Sequence, residues 1–255
     1  MIKVLVAAAL VAAGCGQSHP EGGLESSAAA APDPRAYGRV GEGRSSVEPQ
    51  LPVLDHRWTA DDYASATRIL ERAGATSPRL LPRRDTRVFQ RMTSADNLGG
   101  LDDPSLAAEL RAQQSLRYEP PLRTLLDLYE RYQPGAESLT VLALYLELHG
   151  RLLGDLDDAL ALRRATSAGE RLRQRERLAA LAAARIASAA PYLQGPHACD
   201  AAELAAIAPR LGAAIARLRA VVPPAVMDES LRTLKAASEA EPDPRRQAAL
   251  AALIR

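Results

Sequence analysis

The apolar residues of the chain recur mainly at helical spacing. The clearest stripe consists of Leu204, Ile207, Leu211, Ile215, Leu218 and Val222. Steps of three and four residues place these side chains on one face of a helix, and such a face packs on neighbouring helices. Pro209 lies within the stretch, so we expect a kink or a broken first turn there. With no hairpin signal and no fixed repeat period, the pattern predicts an all-α fold, an irregular multi-helix bundle.

Polar residues and prolines mark the starts of the predicted helices. Capping boxes begin at Thr59, Ser167 and Asp200, each with an acidic residue three positions later. Proline in a first turn marks further starts. These are Asp103-Pro104, Pro120-Pro121, Pro223-Pro224 and Asp243-Pro244. A short helix around residues 88–92 would bury Phe89 and Met92.

The segment SLTVLALYLELHG, residues 138–150, is apolar on nearly all sides. Read with period two it could be a strand, but its length through Leu153 and its Leu and Ala content favour a helix. A helix that is apolar all round belongs at the centre of a bundle. We expect Gly154 to end this helix and Asp155 to cap the next, just as Gly74 ends the first helix of the domain.

The first residues have the pattern of an export signal. Lys3 precedes an apolar run, residues 4–13, which is too short to span a bilayer because a spanning helix needs about 20 residues. The run ends on the small residues of Ala12-Ala13-Gly14-Cys15. This stretch resembles the lipobox of bacterial lipoproteins. The resemblance implies that residues 1–14 are a cleaved signal peptide and that Cys15 becomes a lipidated N-terminus. Ordinary secretion, with cleavage near Ala13, is the alternative.

The lipobox resemblance also implies a location in the cell. The lipid chains that such proteins carry, palmitate among them, would hold Cys15 stably at a membrane, whereas a single acyl chain holds only marginally. Gly16 follows Cys15 where an Asp would retain some lipoproteins at the inner membrane, which favours the outer membrane by family analogy. We therefore expect a lipid-anchored protein of the cell envelope. A secreted or periplasmic protein is the alternative.

Residues 15–50 form a predicted flexible tether. They are rich in Gly, Ser, Ala and Pro and contain too little apolar surface to offset the entropy lost on ordering. A flexible chain of this length has an end-to-end distance of about 30–35 Å, which lifts a domain clear of the lipid surface. Residues 51–255 then form the helical domain, and a subdivision near residue 134 is left open.

Charge and cysteine content exclude several classes of function. The chain has 32 basic and 31 acidic residues, a formal net charge of +1, which gives no electrostatic footprint for nucleic acid. Aromatic residues make up 4% of the chain, so platforms for stacking bases or sugars are scarce. There are 2 Cys residues; once Cys15 is lipidated, Cys199 has no partner for an internal disulfide. The core must therefore be held by burial alone.

His197, Cys199 and Asp200 form the most suggestive cluster for chemistry. A helix N-terminus lowers the pKa of a thiol, which would make Cys199 reactive, and His197 and Cys199 have the spacing to begin a metal site. No second Cys or His cluster follows in the sequence. We therefore favour Asp200 as an N-cap and Cys199 as a small core residue, and we expect no metal, no cofactor and no catalytic residue.

Two aromatic or imidazole side chains have structural interpretations that outweigh functional ones. Trp58, next to His56 and Arg57, could anchor a ligand or the lipid surface, but we expect it to close one end of the core and to staple the first helix. His149 is expected at the end of the central helix, where a cation interacts favourably with the C-terminal dipole.

Two charged segments are interpreted in the same way. Asp155, Asp157 and Asp158 lack the closing Glu and the mid-loop Gly of a calcium loop, so helix capping explains them better. The basic run RLRQRER, residues 171–177, could touch anionic head groups or an acidic partner, but Glu170 and Glu176 supply local counter-charges. We expect it to be a solvated helix face.

The sequence contains no nucleophile elbow, P-loop, dinucleotide fingerprint or H-E-x-x-H motif. We therefore expect a non-catalytic helical binding or scaffolding lipoprotein that acts on a protein partner, rather than an enzyme. The alternative is a binder of a small apolar ligand or lipid in a pocket between helices. A third hypothesis is an enzyme whose site is dispersed along the chain.

Overall fold

The computed structural model describes residue 47 and residues 50–52, 55–161, 168–194 and 198–254. Within these ranges the chain forms helices and turns without any β-strand, so the all-α prediction is confirmed. A search of the same residues finds no helix with the length and apolar character that a membrane span requires. The predicted signal peptide, Cys15 and nearly all of the predicted tether lie outside the described residues.

The α-helices are α1 (Ala60–Thr76), α2 (Arg87–Met92), α3 (Ala108–Tyr132), α4 (Ala136–Ala161), α5 (Ala168–Ala187), α6 (Ala190–Leu193), α7 (Ala201–Val221), α8 (Pro224–Glu239) and α9 (Pro244–Ile254). Two 3₁₀ segments, Pro78–Leu80 and Ala95–Asp102, flank α2. The described residues from 47 onward belong to one compact unit. Near residue 134 the chain turns from α3 into α4 through Gly135, whose φ of 131° is open to glycine but strained for other residues.

Helix α4 lies at the centre of the bundle. Its predicted apolar segment is helical, and Leu144, Leu148 and Leu152 have no exposed surface. The helix contacts α3, α5, α7 and the 3₁₀ segment Ala95–Asp102. The outer helices then pack on this inner set, with α1 on α3, α9 on α7, and α8 on both α5 and α9. A helix that is apolar all round is stable only when neighbours cover every side, which explains this arrangement.

Two of the predicted capping boxes are confirmed. At the start of α1, Asp62 N donates to Thr59 Oγ1 at 3.3 Å, and Thr59 N donates to Asp62 Oδ2 at 2.8 Å. At the start of α7, Asp200 and Glu203 make the same reciprocal pair. The predicted box at Ser167 lies outside the described residues, and α5 is described from Ala168.

Trp58 staples α1, as predicted. It directly precedes the N-cap Thr59, and its ring meets the ring of Tyr63 edge-on with centroids 5.4 Å apart. Trp58 has no exposed surface. Its backbone N–H donates to Asn97 Oδ1 at 3.0 Å, so the chain entering α1 is tied to the second 3₁₀ segment. Before it, Val47 and Leu51 are each 8% exposed and belong to the same hydrophobic core.

Of the predicted proline starts, two are confirmed and two are wrong. Helices α8 and α9 begin at Pro224 and Pro244. Asp103-Pro104 does not open a helix: the Asp103 carboxylate accepts from Ser105 N at 2.9 Å, which closes a turn, and α3 begins only at Ala108.

The predicted break at Pro120-Pro121 is also wrong, because α3 continues through both prolines. The two missing N–H groups deprive the carbonyls one turn earlier of their helical donors, which ordinarily destabilises a helix. Beyond the prolines, Leu122, Leu125 and Leu126 are fully buried, and α3 packs along α4. Burial of this face explains why the helix is retained. Helix α7 is continuous from Ala201 through Pro209, so its first turn is not broken, and every apolar member of the predicted α7 stripe is buried.

Neither Gly74 nor Gly154 ends a helix, contrary to prediction. Helix α1 continues to Thr76 and α4 to Ala161. Gly74 instead permits close packing: a Cβ atom at this position would lie 2.6 Å from the ring of Tyr132 on α3. A Cβ atom at Gly154 would meet nothing within 4 Å.

These two glycines provide a matched test of the packing. Gly74→Ala is expected to lower the free energy of unfolding by about 1–3 kcal/mol, because the added methyl group collides with Tyr132. Gly154→Ala is expected to raise it by about 1 kcal/mol, because alanine favours a helix and has room there. Urea denaturation followed by circular dichroism measures both values. Equal stabilisation by the two substitutions would contradict the close contact between α1 and α3.

Candidate functional site

The residues singled out for chemistry do not form a site in the described part of the chain. Cys15 and His197 lie outside the described residues. Asp200 is the N-cap of α7. Cys199 is 2% exposed, and burial raises the pKa of its thiol to about 11, whereas a reactive thiolate requires a lowered pKa. No group of three or more His, Cys, Asp and Glu residues suited to a metal ion occurs among the described residues.

His149 is not at a helix end, so the prediction of a dipole-stabilised cation is wrong. Because α4 continues past Gly154, His149 lies inside the helix and has no exposed surface. Burial lowers its pKa to about 4, helped by the positive charges of Arg123 and Arg185. Its Nδ1 atom lies 3.1 Å from the carbonyl oxygen of Tyr145, and its Nε2 atom has no hydrogen-bond partner among the described residues. The ring is therefore neutral at pH 7.

The aspartates after Gly154 do not cap a new helix. Asp155 Oδ1 accepts from Arg111 Nε at 2.8 Å, which joins α4 to α3. Asp158 lies 3.9 Å from the same guanidinium. Burial raises the pKa of the Asp155 carboxyl, and Arg111 opposes that shift. Asp157 pairs with Arg175 on α5. These carboxylates therefore join neighbouring helices.

Half of the arginines in the basic run on α5 are engaged in such pairs. Arg171 pairs with Glu109 of α3, and Arg175 binds both Asp157 and the carbonyl oxygen of Val221. Arg173 is exposed and has no ion-pair partner among the described residues. The run is a solvated face whose alternate members hold α5 against the bundle.

A slot between α2, α4 and α7 is the most site-like feature of the described residues, and it has an apolar floor. We call it the α2–α4–α7 slot. Phe89, Ala143 and Ile207 form its floor and are at most 5% exposed. Its volume is about 240 Å³. Ala206 of α7 forms one side of the slot. This residue is exposed, so the slot opens to solvent beside it.

Two arginines stand at the rim of the slot. Arg210 of α7 is held firmly, because it makes a forked contact with Glu147 at 2.7 and 3.0 Å and donates to the carbonyl oxygen of Thr93 at 2.5 Å. Arg84 makes a single contact, from Nη2 to Glu203 Oε1 at 3.3 Å, and its side chain is 38% exposed. Arg84 therefore has unused N–H groups that face solvent.

The slot offers recognition rather than proton transfer. Its lining holds no histidine, cysteine or carboxylate. The hydroxyl groups of Thr93 and Thr140 donate to backbone carbonyls of their own helices, each at 2.8 Å. What remains for a ligand is an apolar floor, the amide of Gln90 and guanidinium groups. Sequence reasoning missed this site; its one local signal was the arginine density of residues 83–91.

A second cleft lies beside the start of α1. Its volume is about 340 Å³, and its lining includes Leu101, Gln114 and Tyr118. At its rim, Arg117 Nη2 pairs with Asp61 Oδ2 at 3.3 Å. The charges of this cleft therefore compensate one another.

Comparison with known proteins identifies no relative. No protein-family model, no curated protein sequence and no solved structure matches the chain.

The buried imidazole of His149 predicts how stability depends on pH. An unfolded histidine binds a proton near pH 6.5, while folded His149 remains neutral down to about pH 4. Below pH 6.5 the unfolded state binds more protons, so the free energy of unfolding falls as the pH falls. The loss specific to His149 is expected to reach about 3 kcal/mol near pH 4. Urea denaturation of the wild-type protein and of His149→Leu between pH 4 and 7.5 measures this loss. The difference between the two proteins isolates the contribution of His149. Parallel curves would contradict the assignment.

Proposed function

We propose that this chain is a lipid-anchored, non-catalytic binding protein of the cell envelope, and that it holds a protein partner at the α2–α4–α7 slot. One observation carries the binding role: an apolar floor continuous with the core opens to solvent between helices, under rim arginines held by Glu147 and Glu203. Pockets of this kind, with buried apolar walls and a polar rim, are where anchor side chains of a protein partner bind. Because its frame is already in place, the slot needs little ordering when a partner binds.

The envelope address rests on the resemblance of Ala12-Ala13-Gly14-Cys15 to a lipobox. A lipid anchor and a flexible tether would place the domain near a membrane while leaving the slot free to meet a partner.

The anchor is tested by replacing the cysteine. Cys15→Ser is expected to abolish incorporation of labelled palmitate and to release the protein from the membrane fraction, because no thiol remains for the lipid. Cys199→Ala is the matched control and is expected to keep the label, since Cys199 is buried in the helical domain. Unchanged labelling of Cys15→Ser would contradict the lipid anchor.

The binding role is tested by filling the slot from its open side. Ala206→Leu is expected to lower recovery of a stoichiometric partner from detergent-solubilised envelopes by about tenfold, the loss expected from blocking a central contact. Ala205→Leu is the matched control, because Ala205 is the neighbouring exposed alanine of α7 and does not line the slot. Equal recovery with wild type and both variants would contradict a role for the slot.

A second candidate function is favoured by the cleft beside α1. Its volume of about 340 Å³ falls within the range of about 300–1,000 Å³ found for small-molecule sites. A small apolar ligand or a lipid that is retained in native mass spectrometry, and lost with Gln114→Trp, would favour this function over partner binding.

A further inference from the structure

The described residues include two arginine-rich surfaces, one on α5 and one on α2 with the turn that precedes it. On α5, Arg171 pairs with Glu109 and Arg175 pairs with Asp157, whereas Arg173 has no ion-pair partner among the described residues.

On the α2 surface, which borders the slot, Arg83 lies 3.6 Å from Glu137 and Arg84 lies 3.3 Å from Glu203. Arg87 is exposed and has no acidic partner within 4 Å among the described residues. Arg91 donates to the carbonyl oxygen of His56 at 2.7 Å, and it has no ion-pair partner among the described residues. The slot therefore lies beside an exposed arginine, Arg87, whose charge is not paired with any described carboxylate.

Arg87 is close enough to act on whatever enters the slot. It precedes Gln90 by three positions on α2, and residues three apart are neighbours on a helix surface. Gln90 lines the slot and donates to the carbonyl oxygen of Arg84 at 3.4 Å. Arg84 and Gln90 thus line the slot, and Arg87 lies one helical turn before Gln90 at its edge; we call these three residues the rim of the slot. The guanidinium groups of Arg84 and Arg87 are suited to carboxylates.

The volume of the slot limits the apolar part of the occupant. About 240 Å³ lies below the range of about 300–1,000 Å³ that whole drug-sized ligands occupy. The slot is therefore suited to one apolar side chain rather than to a complete small molecule or a long acyl chain. Any other part of an occupant must then lie outside the slot, where it can contact the arginines of the rim.

We infer that the slot takes a single Leu, Ile, Met or Phe side chain from an acidic segment of a protein partner, whose Asp or Glu carboxylates bind Arg84 and Arg87. The inference rests on the proposed function and adds the chemistry of the partner. Arg210 keeps its contacts with Glu147 and serves as a wall of the slot. Arg84 exchanges its single, exposed contact with Glu203 for the partner's carboxylate.

A displayed library of random peptides, selected against the detergent-solubilised full chain, tests the recognition. Enriched sequences are expected to contain one large apolar residue with at least two Asp or Glu residues within three positions. Enrichment is expected to be lost with Ala206→Leu and kept with Ala205→Leu. Basic or charge-free consensus sequences, or none enriched above the Ala206→Leu background, would overturn the inference.

Reversing the charge of an arginine at the rim tests whether the partner is acidic. Arg87→Glu is expected to weaken binding of an enriched peptide about fivefold at low salt, with the difference shrinking at high salt. Arg173→Glu makes the same change in net charge at an exposed, unpaired arginine of α5 and is expected to bind as wild type does. Equal affinities for the two variants would overturn the inference.

Two further comparisons distinguish an acidic peptide from an anionic lipid head group, and failure of the inference from failure of the proposed function. If no peptide is enriched and the protein sediments with phosphatidylglycerol vesicles in a manner that depends on Arg87, the rim binds lipid and the inference is overturned. If recovery of an envelope partner is lost with Ala206→Leu but is equal for Arg87→Glu and Arg173→Glu, the proposed function is supported. The inference of an acidic partner is then overturned. If Ala206→Leu leaves that recovery unchanged, the proposed function itself fails.

Discussion

The rest of the structure depends on the burial of α4 on all sides. Each large apolar side chain that it removes from water contributes about 1.5–3 kcal/mol, but a helix without a solvated face is stable only when other helices enclose it. The polar residues of α4 then need partners from those helices, because an unpaired buried charge is costly. Asp155 meets Arg111 of α3, and Glu147 meets Arg210 of α7. Apolar burial thus brings the helices together, and these pairs specify how α3 and α7 align along α4.

The slot is a consequence of the same constraint. Arg210 contacts Glu147 of α4 with one side of its guanidinium and the carbonyl oxygen of Thr93, at the end of α2, with the other. One side chain therefore sets the spacing of α2, α4 and α7. Small residues at the contact, Ala143 and Ala206, leave the remaining space open. A binding surface can arise in this way without any catalytic motif in the sequence.

Local features of this fold could be predicted, and features decided by distant contacts could not. The capping boxes at Thr59 and Asp200 and the stripe of α7 depend only on residues within a turn or two of one another. Pro120 and Gly154 are helix breakers by local preference, yet packing against distant helices keeps both inside helices. A helix end predicted at Gly154 also places His149 near that end, whereas α4 continues and His149 lies in the core. Arg84 and Arg210 are far apart in the chain, and no local pattern signals that they meet at one slot.

Native-state hydrogen exchange measures most directly whether α4 is the element on which the bundle depends. The account predicts that the amides of residues 139–153 exchange only through global unfolding, with opening free energies equal to the free energy of unfolding from urea denaturation. Amides of the outer helices α8 and α9 should open at lower free energies. Exchange in α4 that is as easy as in α9, well below the global value, would contradict the account.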